Sequence, residues 1–304
     1  MSSLATSRTH RNGVLALIIA NIIWGAAAPI FKLSLQNIPP FTLAFLRFFG
    51  ASLLLYPFAI KAGKIKHRDI LTLIIISFFG VTFNIAFFFW GLMSAPAINA
   101  TVIASSGPVF LCLGGILFLK EKPRKKLLGG LLISLLGVII IIGQPIFTEG
   151  FDGQLVGNIF FLLAMIFHTA YTILYKKSMS HYSTFLITYW MFLIGSLTFL
   201  PFFLYETVTV NPLFSLDIRG LVGIGFGIFL SSALAYFLFD WGLKRIPSQE
   251  IGIFAYLDPI IAAAIAIPLL GETVSSLFLL GSLLIFGGIA IAENRLHYHP
   301  LHKL

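Results

Sequence analysis

Residues 90–110 read WGLMSAPAINATVIASSGPVF, and residues 241–259 read WGLKRIPSQEIGIFAYLDP. Both stretches begin with Trp-Gly-Leu, continue with two prolines at the same spacing, and lead through an apolar segment to a Leu and a Glu. The matched residues lie 151 positions apart: Trp90 and Trp241, Pro96 and Pro247, Pro108 and Pro259, Leu119 and Leu270, Glu121 and Glu272. A match of this length predicts that the chain contains an internal duplication.

The composition around this repeat excludes a soluble fold. Of the 304 residues, 58% are hydrophobic and 10% are charged, with a mean hydropathy of +0.98, whereas soluble domains carry roughly a quarter charged residues. Apolar runs of about 20 residues, the length that crosses a bilayer, lie at 13–31, 41–60, 70–92, 96–119, 127–146, 155–175, 184–205, 218–240, 249–270 and 275–291. Runs of this length must be helical in lipid. We predict an all-α integral membrane protein with ten transmembrane helices.

The duplication determines how these helices are arranged. Each half holds five spans, so the second half enters the membrane in the opposite sense from the first. We predict two inverted-topology five-helix repeats, at residues 12–146 and 152–294, followed by a short cytoplasmic tail at 295–304. Inverted repeats place a substrate site near the middle of the membrane and permit alternating access.

The basic residues indicate the orientation. With the N-terminus inside, all of the 20 lysines and arginines except Lys32, Arg47 and Arg219 fall on the cytoplasmic side. Positive charge is retained on that side of a membrane. Both termini are therefore predicted to be cytoplasmic.

Other functional classes find little support in the sequence. The net charge of +9 is spread in small clusters between apolar runs, which favours topology control and lipid contact over nucleic acid. The sequence contains no HExxH, GxSxG or Walker A motif, and Cys112 is its single cysteine. We expect no enzyme activity, no cofactor and no metal site.

Two ionisable groups at membrane depth stand out, since such groups tend to face a cavity or a partner. Asp258 lies near the middle of the ninth span and precedes Pro259, which removes one backbone hydrogen bond. It is either a substrate or proton site or half of a structural ion pair. Arg47, in the second span, is the partner in that second interpretation.

The sixth span carries His168, Tyr171, Thr172 and Tyr175 at positions i, i+3, i+4 and i+7. This spacing places them on one helix face, which predicts a polar and aromatic wall of the cavity. Helix packing with an aromatic anchor at Tyr175 is the alternative.

Further polar and aromatic residues complete the candidate site. Asp240 is placed at the cytoplasmic end of the eighth span, where a salt bridge with Lys244 four residues later is expected. Small residues of the fourth span also fit simple helix packing. The candidate substrate-binding residues are Trp24, Asn84, Asn99, Ser105, His168, Tyr171, Thr172, Tyr236, Tyr256 and Asp258, and the candidate structural or gating residues are Arg47, Pro108, Asp240 and Pro259.

The chain resembles EamA-type members of the drug/metabolite transporter superfamily. The resemblance rests on IIWGAAAPIFK, LAFLRFFGASLLLYP, WGLMSAPAINATVIASSGPVF and LKE in the first half, and on AYFLFDWGLKRIPSQEIGIFAYLDPIIAAAIAIPLLGE in the second. It implies a bacterial cytoplasmic (inner) membrane protein with a central cavity and with helices five and ten at the periphery. The sequence departs from the family at Asp258, where Glu is more usual, and at His168, which replaces the tryptophan found at Trp24 in the first repeat.

The leading functional hypothesis is a secondary transporter, with export implied by the resemblance, that moves small polar metabolites such as amino acids by alternating access. An integral-membrane enzyme acting on a lipid, with Asp258 and His168 as its candidate pair, and a passive channel are the alternatives. The expected partners are a small-molecule substrate and membrane lipid, without nucleic acid. Proton coupling and a homodimer through helices five and ten are further hypotheses.

Overall fold

The computed structural model describes residues 2–107, 110, 125–148, 153–210, 215–246, 254 and 256–292. Over these residues the chain forms helices joined by short turns, and no strand occurs among them. Helices satisfy their own backbone hydrogen bonds, which lipid cannot do for them. The prediction of an all-helical chain is confirmed for the described residues.

The helices are numbered in chain order, and their bounds are α1 Ser2–Ser34, α2 Pro40–Ala59, α3 His67–Ser94, α4 Ala97–Ala104, α5 Lys125–Thr148, α6 Gly153–Met179, α7 Thr184–Thr209, α8 Ile218–Leu243, α9 Leu257–Leu270 and α10 Ser276–Ala292. Seven of them, α1 to α3 and α5 to α8, contain a stretch long and apolar enough to cross a membrane. Helices α9 and α10 are shorter, with 14 and 17 residues. Of the predicted fourth span, 96–119, the structure describes residues 96–107 and 110. The chain is thus a multi-pass membrane protein, and the full set of ten spans stays a prediction.

Two glutamates fix the beginnings of helices. Glu206, in the last turns of α7, accepts hydrogen bonds from the backbone N–H of Thr42 at 2.6 Å and from its hydroxyl at 2.9 Å. Glu272, just after α9, accepts from the N–H of Ala97 at 2.6 Å and of Ile98 at 3.0 Å. The first N–H groups of a helix lack partners within it and favour a negative charge. Each carboxylate therefore ties its own segment to the start of a distant helix.

Three helices contain a wide π-helical segment. These segments are Phe78–Phe83 in α3, Tyr175–Met179 in α6 and Phe226–Leu234 in α8. The segments in α3 and α8 fall at matching positions of the 151-residue offset. Segments of this kind occur often at functional sites, and those of α3 and α8 lie beside the cavity described below.

Helices α5 and α10 pack against each other. Gly137 and Gly281 lie at their crossing, where a Cβ atom on Gly137 would come within 2.5 Å of the Gly281 carbonyl oxygen. The Ser134 hydroxyl donates to the Ile285 carbonyl at 3.0 Å. Small residues permit such close backbone contact in membrane helices. The other main contacts are α1 with α8 and α9, α2 with α7, and α3 with α6, and these pairs surround the cavity.

Candidate functional site

A cavity of about 200 Å³ lies among helices α1, α2, α3, α4, α6 and α8 and the start of α9. This volume is below the roughly 300–1,000 Å³ typical of sites for drug-sized ligands, so it suits a small metabolite. Most of the wall is aromatic or aliphatic. Its polar and aromatic lining includes Trp24, Arg47, Asn84, Thr101, His168, Thr172, Tyr236 and Asp258.

Asp258 provides the carboxylate of this cavity. It lies in the first turn of α9, and its Oδ1 atom is enclosed without a hydrogen-bond donor from the described residues. Helix α1 approaches its backbone closely at Gly25, where an added Cβ would lie 2.9 Å from the Asp258 carbonyl oxygen. Since glycine has no Cβ, it permits this approach. The carboxylate is thereby held next to the cavity face of α1.

Trp24 is the centre of the aromatic wall. Its ring centroid lies 5.7 Å from that of His168, 5.2 Å from that of Tyr236 and 4.9 Å from that of Phe239. The indole Nε1 donates to the Ser231 carbonyl oxygen at 3.2 Å. The contacts with His168 and Tyr236 have the edge-to-face geometry that aromatic pairs prefer. Trp24 is therefore fixed by α6 and α8 together.

Arg47 also lines the cavity, but it does not pair with Asp258. Its Nε donates to the Ser232 hydroxyl at 2.8 Å and its Nη2 to the Ser231 hydroxyl at 3.1 Å. The guanidinium carbon lies 4.7 Å from the Phe31 ring centroid and 4.5 Å from that of Phe48. The ion pair with Asp258, one of the two interpretations left open by the sequence, is wrong, because two serines and two aromatic rings contact the guanidinium instead.

Comparison with protein-family models shows the family to which this chain belongs. The model, described as the EamA-like transporter family, matches residues 11–143 and again residues 155–293. The chain belongs to this family. It is an EamA-type transporter of the drug/metabolite transporter superfamily, as the sequence resemblance predicted.

Curated relatives of this EamA transporter carry transport names. A protein of Archaeoglobus fulgidus named "Uncharacterized transporter" is 27% identical, over 96% of this chain and 99% of the relative. A "Probable amino-acid metabolite efflux pump" of Escherichia coli strain K12 is 24% identical, over 97% and 99% respectively. One solved crystal structure is similar with a TM-score of 0.66 at 19% identity, covering 94% of this chain and 99% of that one. That structure supports the fold alone.

The predicted polar face of α6 divides into two parts in the EamA transporter. His168 and Thr172 line the cavity, whereas Tyr171 is fully buried away from the lining. Tyr175 is likewise fully buried rather than anchored at an interface. The i+3 position lies about 60° around the helix from position i, on the other side from the i+4 position. The prediction from sequence spacing therefore placed on one face both the residues of the cavity wall and a residue that packs against other helices.

Asp240 differs from its prediction as well. It is completely buried and accepts hydrogen bonds from the Tyr171 hydroxyl and, at 3.2 Å, from the Thr188 hydroxyl. The expected salt bridge with Lys244 does not form, because the Lys244 ammonium donates to the Tyr182 carbonyl oxygen at 2.5 Å. Asp240 thus joins α8 to α6 and α7 from inside the helix bundle.

Of the remaining predicted residues, some line the cavity and others do not. Asn84 lines the cavity and donates to the Ala164 carbonyl at 2.8 Å, and Tyr236 lines it and donates to the Gly80 carbonyl at 3.1 Å. Asn99 and Ser105 are outside the lining: Asn99 donates to Asn158 at 3.0 Å, and Ser105 bonds back to its own helix.

Two further predicted residues, Tyr256 and Pro259, are also outside the described lining. Tyr256 contacts the Phe286 ring on α10 with 5.1 Å between centroids, and Pro259 is buried in α9. Pro108 lies outside the described residues.

Sequence reasoning missed several parts of the wall. Ser231 holds both Trp24 and Arg47, and Thr169, Phe88 and Phe239 line the cavity. The adjacent serines 231 and 232 in an otherwise apolar span were the available indication. The aromatic residues gave none, because the chain has 32 phenylalanines and most of them meet other hydrophobic groups.

Proposed function

We propose that this EamA transporter is a secondary exporter that moves small polar metabolites, such as amino acids, through the cavity by alternating access. The observation that carries the proposal is a cavity built from both halves of the chain around Asp258. Trp24, Arg47 and Asn84 come from the first family match, and His168 and Asp258 come from the second. A site shared between two repeats is the arrangement expected of alternating-access carriers.

Matched contacts in the two halves support the inverted repeat. Lys32 donates to the Ala95 carbonyl oxygen at 2.7 Å, and Lys176 donates to the Ile246 carbonyl oxygen at 3.2 Å. Lys32 and Lys176 are equivalent in the sequence repeat at an offset of 144, as Ala95 and Ile246 are at 151. Equivalent contacts at both places are what a pseudo-two-fold relationship would produce.

The aromatic centre supports the same relationship. Trp24 and His168, which correspond at the offset of 144, touch each other. The carbonyl oxygens of Gly80 and Ser231, which correspond at 151, each accept a hydrogen bond from an aromatic side chain of the cavity wall. The cavity would then lie where the two repeats meet.

The proposed direction and location follow from the relatives and the charge distribution. A relative is named an amino-acid metabolite efflux pump, and basic residues favour cytoplasmic termini. We place the protein in the bacterial cytoplasmic membrane with both termini inside, so that substrate enters the cavity from the cytoplasm.

Counterflow in proteoliposomes tests this function. Vesicles preloaded with a mixture of unlabelled amino acids should accumulate a labelled trace of the same mixture transiently and saturably, and empty liposomes should not. Asp258→Asn should abolish the accumulation. Non-saturable flux without accumulation would indicate a channel, and turnover of the vesicle lipid without solute flux would indicate an enzyme. Either outcome contradicts the proposal.

A further inference from the structure

One oxygen of the Asp258 carboxylate receives no hydrogen bond from the described residues. Asp258 is the one acidic residue among the described residues that line the cavity, and no described group donates to its Oδ1. An ionised carboxylate at membrane depth is costly unless it is paired. An ionised Asp258 therefore needs a cationic group to compensate it when the site is in use.

Two basic side chains within the membrane-spanning helices, Arg47 and Lys32, are already engaged. Arg47 is bound by Ser231 and Ser232. Lys32 is bound by the Ala95 carbonyl oxygen and by Glu272. Among the described residues, neither basic side chain forms an ion pair with Asp258, so a cation that pairs with the ionised carboxylate would come with the occupant of the cavity.

The wall next to Asp258 suits an organic ammonium ion. Trp24, His168, Tyr236 and Phe239 form a continuous group of rings with neighbouring centroids about 5–6 Å apart. Aromatic faces attract cations within about 6 Å, and the same rings receive an apolar body. Carboxylate and rings together match a protonated amine attached to an aromatic or aliphatic group.

Resting on the proposed transport function, we infer that the cavity selects its substrate by a protonated amine that pairs with Asp258 beside the aromatic wall, and that a carboxylate on the substrate is dispensable. Arg47 is the cation among the described lining residues that would receive such a carboxylate. Its Nε and Nη2 are already bound to serines and its guanidinium lies over two rings. A carboxylate there would have to displace these contacts.

Three probes that share a phenyl ring on a short chain test the inference: phenethylamine, L-phenylalanine and 3-phenylpropanoate. Dissociation constants are measured by isothermal titration calorimetry on the purified full chain. Phenethylamine should bind at least as tightly as phenylalanine. 3-Phenylpropanoate should bind at least about tenfold more weakly, since it lacks the charged donor for Asp258.

Variants assign the selectivity to Asp258. Asp258→Asn should weaken phenethylamine binding about tenfold or more, while Asp258→Glu, which keeps the charge, should retain most of it. Asp69→Asn is the matched control, because Asp69 lies at the start of α3 and accepts from the Tyr182 hydroxyl at 2.6 Å outside the cavity. It should leave all three constants unchanged. If Asp258→Asn does not fold, Asp258→Glu and the wild-type probe series still decide.

Equal binding of 3-phenylpropanoate and phenethylamine, unchanged amine binding by folded Asp258→Asn, or no binding of any probe would overturn the inference. Counterflow keeps this result separate from the proposed function. Saturable amino-acid counterflow without amine selectivity refutes the amine inference alone. Amine binding that depends on Asp258, without any counterflow, refutes the transport function alone.

Discussion

Lys32 and Glu272 form a salt bridge of 3.0 Å between α1 and the segment that follows α9. Glu272 also caps the start of α4, and Lys32 also binds the Ala95 carbonyl oxygen just before it. One ion pair thus holds together three segments, two from the first family match and one from the second. In the proposed orientation these segments lie at the outer end of the cavity, and the pair would close that end.

Breaking this pair should open the outer end. Glu272→Gln removes the charge on which Lys32 and the α4 N-terminus depend, and charge-assisted hydrogen bonds contribute about 1.5–3 kcal/mol each. A cysteine at Thr101, which lines the cavity, should then react faster with a membrane-impermeant thiol reagent than in the parent, both in a Cys112→Ser background. Lys32→Met should act in the same direction. Equal labelling rates in all three proteins would contradict an outer closure.

Tyr171 and His168 should differ in their effects although they are three residues apart. Tyr171→Phe removes the hydroxyl that binds buried Asp240, and a buried acceptor left unpaired costs about 1–3 kcal/mol. We expect lower thermal stability and near-normal ligand affinity. His168→Ala removes a cavity wall residue, so affinity should fall more than stability does. Unfolding curves and titrations on both variants distinguish these outcomes, and the reverse pattern would contradict the assigned positions.

Arg47 and Asp258 should contribute independently to stability. A buried ion pair would show strong coupling in a double-mutant cycle, because the loss of one partner costs about 3–5 kcal/mol and the loss of both restores much of it. Since Arg47 binds Ser231 and Ser232, we expect the coupling between Arg47→Met and Asp258→Asn to stay below about 1 kcal/mol. The matched cycle of Arg47→Met with Ser232→Ala should show the larger coupling. Recovery of stability in the Arg47→Met/Asp258→Asn protein would restore the ion-pair interpretation.

The orientation can be tested with single cysteines. Those placed at residues 148–154 and 211–217 should react with an impermeant reagent added outside intact cells, whereas those replacing Lys64 or Lys125 should react only after the cells are opened. Basic residues retained in the cytoplasm are the physical reason. The inverse labelling pattern would remove both the proposed topology and the proposed direction of export.

The helices and several polar residues of the cavity wall were accessible from the sequence. Long apolar runs specify helices in lipid, and rare polar residues within them, such as Asn84, His168 and Asp258, do line the cavity. The sequence period places a residue on a face of its own helix. It does not give the rotation of that helix against its neighbours.

The partners predicted for Arg47 and Asp240 were wrong because the sequence does not give the rotation of one helix against another. Because their charges are opposite, Asp258 was considered as the partner of Arg47, and Lys244 as the partner of Asp240. In the structure, hydroxyl groups on facing helices bind Arg47 and Asp240 instead. Those hydroxyls belong to Ser232 and Thr188, and the sequence does not indicate which charged group each of them binds. Only the packing of α2, α7 and α8 brings them into place.

The π-helical segment of α3 sets the rotation of everything that follows it in that helix. Asn84, Ile85 and Phe88 come directly after Phe78–Phe83 and point into the cavity. Each residue of a helix turns the chain by about 100°. Removing a single residue from this segment would therefore turn all three side chains away from the substrate path, although every apolar residue needed to span the membrane would remain. Among descendants of such a chain, a one-residue gap at this position would change the identity of the cavity wall more than several substitutions would.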